Sequence, residues 1–174
     1  MKLKRQSGFT MVEMIMTVAV GAILLTVGIP SFRYITNSNR IAAEINGLLG
    51  DLQFARSEAI KEGVSVSVCV SSNGTTCAGT NTWQSGWIVM SSANNTVLRV
   101  QAPFSSTDTF VATNAVGTVT FNRDGYANGI ANGTLVELHD STNNHSWTRC
   151  LAITLSGLIA SQAYNTTTNG FTCQ

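Results

Sequence analysis

The apolar residues of this protein change their period twice, and each change marks a different element. From Phe9 to Ile29 they run almost without interruption, FTMVEMIMTVAVGAILLTVGI, with Glu13 as the one charge and Pro30 next in line. Coiled into a helix, that run is roughly 31 Å long at about 1.5 Å per residue, which matches the hydrocarbon core of a bilayer. From Ser31 to Glu62 the apolar positions thin to Ile41, Ile45, Leu48, Leu52, Ala55 and Ala59, three or four apart. This spacing predicts one face of an amphipathic helix. Gly63 is placed to stop it, while Gly47 and Gly50 each weaken it by about 1 kcal/mol relative to Ala. Beyond Gly63 the period becomes two: Val64, Val66, Val68 and Val70 alternate with Ser65, Ser67 and Cys69, a strand signature. Trp87 to Met90 and Thr96 to Gln101 read as a hairpin about Asn94-Asn95. Thr118 to Phe121, Thr134 to Leu138 and Thr148 to Leu155 are further strands, with Asn-Gly and Asp-Gly turn signals after the first. Pro103 to Val116 shows no clear period. The expected fold is α+β: one long N-terminal helix, apolar all round over 9–30 and amphipathic over 31–62, packed on an antiparallel β-sheet head spanning 63–174.

Composition and charge narrow the function classes. A sequence of 174 residues has room for one domain and an appendage. Only 11% of residues are charged, against about 25% in typical soluble domains, and Ser, Thr, Asn and Gly supply the polarity instead. Lys2, Lys4 and Arg5 cluster before the apolar run. On the amphipathic segment Arg33, Arg40, Arg56 and Lys61 cancel Glu44, Asp51, Glu58 and Glu62. From Gly63 onward only Arg99, Arg123 and Arg149 face Asp108, Asp124, Glu137 and Asp140, so no basic stripe tracks a phosphate backbone. Cys69, Cys77, Cys150 and Cys173 contain no C-x-x-C pair, which argues against zinc and for two disulfides formed in an oxidising compartment. Three pairings are open; proximity in sequence favours Cys69 with Cys77 and Cys150 with Cys173.

Catalytic chemistry finds little support. His139-Asp140-Ser141 are neighbours in sequence, and neighbours on a strand or turn point apart where a triad needs convergence. Two histidines, His139 and His145, lack the further ligands of a metal site. Asn122-Arg123-Asp124-Gly125 is a polar turn without the alternating acids of a calcium loop. Trp83, Trp87 and Trp147 fit a sheet core better than a binding platform. No catalytic residue, metal or cofactor is expected.

The segment around the start of the apolar run carries the most specific signal. The run ends Val27-Gly28-Ile29-Pro30-Ser31-Phe32, without the small-residue pattern at which a secretory signal is cut. It begins Gln6-Ser7-Gly8-Phe9-Thr10-Met11-Val12-Glu13, after a basic leader. A basic leader ending in Gly, then Phe, then Glu four residues on, resembles the signal of type IV prepilins. That resemblance implies cleavage after Gly8 by a prepilin peptidase, removal of 1–8 as a leader, and methylation of the new amine on Phe9. The span 9–30 would then remain as an anchor in the bacterial inner membrane, with the basic end cytoplasmic and the head in the periplasm. A carboxylate in an apolar span costs up to about 2.5–3.5 kcal/mol. The resemblance implies that Glu13 offsets this cost by meeting the amine of a neighbouring subunit and setting its register in a filament.

The head resembles the GspH/FimT-type minor pilins and pseudopilins. The stretches that carry the likeness are Ala55-Arg56-Ser57-Glu58-Ala59-Ile60-Lys61, Cys69 through Cys77, Gly86-Trp87-Ile88-Val89, Leu98-Arg99-Val100, Phe121-Asn122-Arg123-Asp124-Gly125 and Arg149-Cys150-Leu151-Ala152-Ile153. The FimT-like branch is favoured, which implies a low-abundance subunit for assembly or initiation of a type IV pilus, in contact with other pilin subunits. The alternative is a GspH-type pseudopilin of a type II secretion system. A third reading, binding of incoming DNA, is disfavoured. Transformation-linked members carry a G-R-x-R pattern after a late strand, where this sequence has Gly157-Leu158-Ile159-Ala160.

Overall fold

Helix α1 runs from Met11 to Glu62 through Pro30 without a break. The computed structural model describes residues 8–174, so the expected leader lies outside the described residues except for Gly8. Thr10 opens the helix and Gly63, at φ 69°, closes it by donating its N–H to the Ala59 carbonyl. The six residues at three-and-four spacing, Ile41 to Ala59, are the six that α1 buries. The change of character falls later than Pro30, however. The protein divides into two compact units between Asn39 and Arg40, and the first fully buried helix residue is Ile41.

The second unit holds eleven strands: β1 (Val66–Val70), β2 (Trp87–Ser91), β3 (Val97–Gln101), β4 (Thr109–Ala112), β5 (Thr118–Phe121), β6 (Ala127–Asn128), β7 (Thr134–His139), β8 (Arg149–Ile153), β9 (Ile159–Ala163), β10 (Thr167–Thr168) and β11 (Phe171–Thr172). They form a five-stranded sheet in the order β3-β2-β1-β5-β6, a four-stranded sheet in the order β4-β7-β8-β9, and the small hairpin β10–β11. Every pairing is antiparallel. The expected strands are present with ends shifted by a residue or two. The unassigned stretch from Pro103 to Val116 supplies β4, and the tail supplies β9 to β11.

Alternation sorts each sheet into two faces. Val66, Val68, Val70, Val89, Val119 and Phe121 of the first sheet join Val136, Leu138, Leu151 and Ile153 of the second and the α1 stripe in one core. Trp83 and Trp87 are also in this core. Trp87 packs edge-on against Phe104 and Phe110 with ring centroids 6.0 and 6.3 Å away. Part of each opposite face is buried too, by a shared device. Cys69, facing away from the core on β1, is bonded to Cys77, and Gly74 in the loop between them lies against Val100 of β3. Cys69 and Ile88, paired in register there, are fully buried. Cys150, facing away from the core on β8, is bonded to Cys173. Leu135, Ala152 and both sulfurs make a second small core beneath Phe171. Gln162, opposite Cys150 in the ladder, donates its side-chain amide to the Phe171 carbonyl at 3.2 Å and fixes the hairpin to the sheet.

Candidate assembly surface

Gly8, Phe9 and Glu13 come together in the first turn of α1 and its approach, all three exposed. The Thr10 hydroxyl accepts the Glu13 N–H at 3.3 Å, and the Thr10 carbonyl accepts the Met14 N–H at 3.2 Å. Thr10 is therefore the N-cap and Glu13 the third helical residue, the T-x-x-E spacing of a capping box. Glu13 also lies where the helix dipole favours a negative charge, which offsets part of the cost of a carboxylate at the edge of an apolar span. The threonine was legible in the sequence from its spacing to Glu13, but attention to the charge alone passes over it.

From Met11 to Ile29 the apolar side chains face outward on every side of α1: Met11 is 82% exposed, Leu24 67% and Val27 66%. The helix is long and apolar enough here to cross a membrane. Among the described residues of the first unit nothing covers this surface, an exposed apolar area of the kind that marks a membrane or protein contact.

Two charged residues of the helix's second half, Asp51 and Arg56, are tied to the β-rich part of the head. Asp51 accepts from the Trp87 indole at 2.9 Å and from Arg99 at 3.0 Å, and the Arg99 guanidinium lies 3.8 Å above the Phe54 ring. Arg56 donates to the carbonyl of Gly125 at 3.0 Å and to that of Ser156 at 3.4 Å. Beside it Gly157 sits at φ 75°, and a β-carbon there would run into the Gly125 carbonyl oxygen. Gly86, at φ 93°, is closed in by backbone atoms of Gln101, Pro103 and Ser71 in the same way. Two of the short stretches that carry the family likeness, 55–61 and 121–125, thus meet through the Arg56–Gly125 hydrogen bond.

Farther up the helix, Arg40 holds Asp108 with two nitrogens, Nε at 2.8 Å and Nη2 at 3.0 Å. Ser106 donates to Glu44 Oε1 at 3.2 Å. Burial, reinforced by the Asp108 charge and only partly relieved by Ser106 and Arg40, pushes the Glu44 carboxyl up to about 7. Sequence reading placed Arg40 and Glu44 among cancelling surface charges; their loop partners are more than 60 residues away and left no local trace.

His139, Asp140 and Ser141 do not converge. Asp140 caps the turn between β7 and β8, accepting from the Thr142 hydroxyl and, at 2.7 Å, from the Asn144 N–H. Burial opposes its charge, but these donors hold it below the usual carboxylate range. His139 instead contacts the Thr148 hydroxyl at 3.3 Å. Among the described residues no three His, Cys, Asp or Glu side chains are grouped to hold a metal. Arg99 and Arg123 lie toward opposite edges of the five-stranded sheet, on β3 and on the turn before β6, and Arg149 lies on the other sheet.

Comparison with known proteins agrees with this anatomy. A crystal structure of the type IV minor pilin FimU of Pseudomonas aeruginosa (strain PAO1) superposes with a TM-score of 0.60 at 22% identity, over 74% of this protein and 92% of that one. A second crystal form of FimU gives 0.52 at 21% identity, over 73% and 90%. The fold is that of the type IV pilins. No curated protein matches the sequence. Residues 3–29 match the prokaryotic N-terminal methylation motif. The family described as type II transport protein GspH matches residues 44–157, about two thirds of the length, and the chain belongs to that family.

Proposed function

We propose that the protein is a minor pilin, a low-abundance subunit that is built into a type IV pilus and helps to start or complete it. The observation that carries this reading is the joining of two parts: a helix with a methylation motif and an outward-facing apolar surface, and a head folded like a type IV minor pilin. In this reading a prepilin peptidase removes residues 1–8 after Gly8, and Phe9 becomes the methylated first residue. Residues 9–30 hold the subunit in the inner membrane, with the head in the periplasm, until the same apolar surface is handed from lipid to neighbouring subunits. Glu13 then faces the amine of an adjacent subunit. The disulfides serve the head alone. The protein is not an enzyme and takes no cofactor, and DNA is not its ligand. Gly157-Leu158-Ile159-Ala160 offers no cation, and Arg99 is already engaged with Asp51 and Phe54.

The family match supports a second reading, a pseudopilin that takes part in type II protein secretion. Deleting the gene and scoring piliation, twitching, transformation and exoprotein secretion in parallel separates the two. Loss of pili with intact secretion is expected; a defect confined to secretion assigns the protein to the secretion machine. Intact-mass analysis of the mature protein is expected to give a polypeptide beginning at methylated Phe9, and a soluble head cut beyond Ile29 would overturn the anchor.

A further inference from the structure

Two carboxylates and one guanidinium meet where the loop 102–108 crosses α1. Arg40 spends both nitrogens it offers on Asp108, which is 3% exposed. Glu44, one turn along the helix, is left with the Ser106 hydroxyl on one oxygen. Its other oxygen, Oε2, is shut off from solvent and has no hydrogen-bond partner, whereas the buried Asp108 Oδ2 is taken by Arg40 Nε at 2.8 Å. Asp108 is the neighbouring carboxylate whose charge acts on Glu44. A buried carboxylate oxygen without a donor, next to a second carboxylate, is a costly arrangement, and a proton on Glu44 relieves it.

We infer that Glu44 is a proton-operated clasp, which holds the 102–108 loop on α1 when its carboxyl is neutral and releases it when ionised. The charged groups around it are Arg40 on its own helix and Asp108 on the loop; Asp140, at the β7–β8 turn, acts on Arg40. Arg40 cannot neutralise Glu44 while committed to Asp108, so ionisation sets two like charges against each other across the helix–loop seam. The displacement of the carboxyl toward neutral pH follows from the same crowding. The loop keeps two other attachments, the Arg40–Asp108 pair at its end and the Phe104 N–H on the Gln84 carbonyl at 2.9 Å with the Phe104 ring stacked on Phe110. Release at Glu44 therefore loosens it without unfolding the head. What opens is the groove beneath it, about 360 Å³, walled by Gly47, Trp87, Pro103 and Phe104.

Hydrogen–deuterium exchange of the full-length protein in detergent, at pH 5.5 and 8.5 and corrected for intrinsic rates, tests the clasp. Protection across 104–108 is expected to fall about tenfold or more at the higher pH, while the strands of the four-stranded sheet stay unchanged. Glu44→Gln supplies a permanent donor to Asp108 and is expected to hold the loop closed at both values. Equal pH dependence in the wild type and Glu44→Gln, or no dependence in the wild type, overturns the proposal. If Glu44→Gln does not fold, the carboxyl resonance of Glu44 in selectively ¹³C-labelled wild-type protein decides. A midpoint near 7 supports the clasp, and one near the ordinary glutamate value of 4.5 removes it.

Discussion

The stretches 11–29 and 41–59 lie on one helix and draw on the same side chains, Ile, Leu, Val and Ala, yet they obey opposite rules. In the second stretch Ile41, Ile45, Leu48, Leu52, Ala55 and Ala59 form one buried stripe, and Asp51 and Arg56 reach across to the rest of the head. In the first they cover the whole circumference and remain exposed, with one charge at the very start. Backbone geometry is the same in both, so the difference lies in what each surface was selected to meet. A stripe is matched to one fixed partner within the same molecule. A full circumference suits a surrounding that can be exchanged, lipid at one time and other helices at another.

Removing the first stretch should have the largest effect. The fragment Arg40–Gln174 is one of the two compact units and is expected to be a soluble monomer, whereas the full-length protein partitions entirely into membranes or detergent. Sedimentation of both from the same extract checks this, and an insoluble or unfolded fragment would show that the first stretch also supports the head. Next in size is Glu13→Ala. Membrane insertion and head melting are expected to be unchanged, while incorporation into filaments, quantified by immunoblot of sheared pili, falls at least tenfold. Incorporation at the wild-type level would leave Glu13 with its capping role only.

A matched pair of truncations then sets the two stretches side by side. Leu48→Ala, at a fully buried position, should cost the head about 2–5 kcal/mol. Leu24→Ala, at an exposed position, should leave the head's melting curve unmoved. Near-UV circular dichroism of the full-length protein in detergent reads both. The smallest effect belongs to pH. The Glu44 pKa is higher folded, about 7, than its ordinary value of 4.5, so its contribution is complete below 4.5 and is lost as pH rises through 7. With solvent screening of a partly exposed group allowed for, the loss is about 1 kcal/mol, and Glu44→Gln should flatten urea midpoints across that interval. Asp140 works in the other direction and outside this window, since its depressed pKa sheds stability only on acidification below the usual carboxylate range.

How much of this was legible beforehand depended on separation in sequence. The α1 stripe and the β1 alternation are patterns within one element, and they named their buried residues directly. The hairpin β2–β3 and the bridge Cys69–Cys77 join near neighbours, so proximity sufficed. β4 was not legible, because its partner β7 comes more than 20 residues later and Phe110 and Ala112 are its only buried residues. The hairpin β10–β11 has just two residues per strand and is held by Cys173 and Gln162 instead of by a hydrophobic pattern. In the site, the motif around Gly8 and Glu13 could be read as a string of letters. The Arg40–Asp108 and Glu44–Ser106 contacts depend on the folded path of a loop, which no local spacing encodes.

The bridge from Cys173 to Cys150 has a mechanical consequence. Tension applied to the backbone beyond Cys173 does not travel through β11, β10 and β9 in turn. It crosses the sulfur bond directly into β8, an interior strand flanked by β7 and β9. Peeling an edge strand breaks ladder hydrogen bonds one after another, whereas an interior strand pulled along its length must lose those on both sides together. The tail that looks weakest, short strands of threonine and phenylalanine, is thereby left out of the path of force.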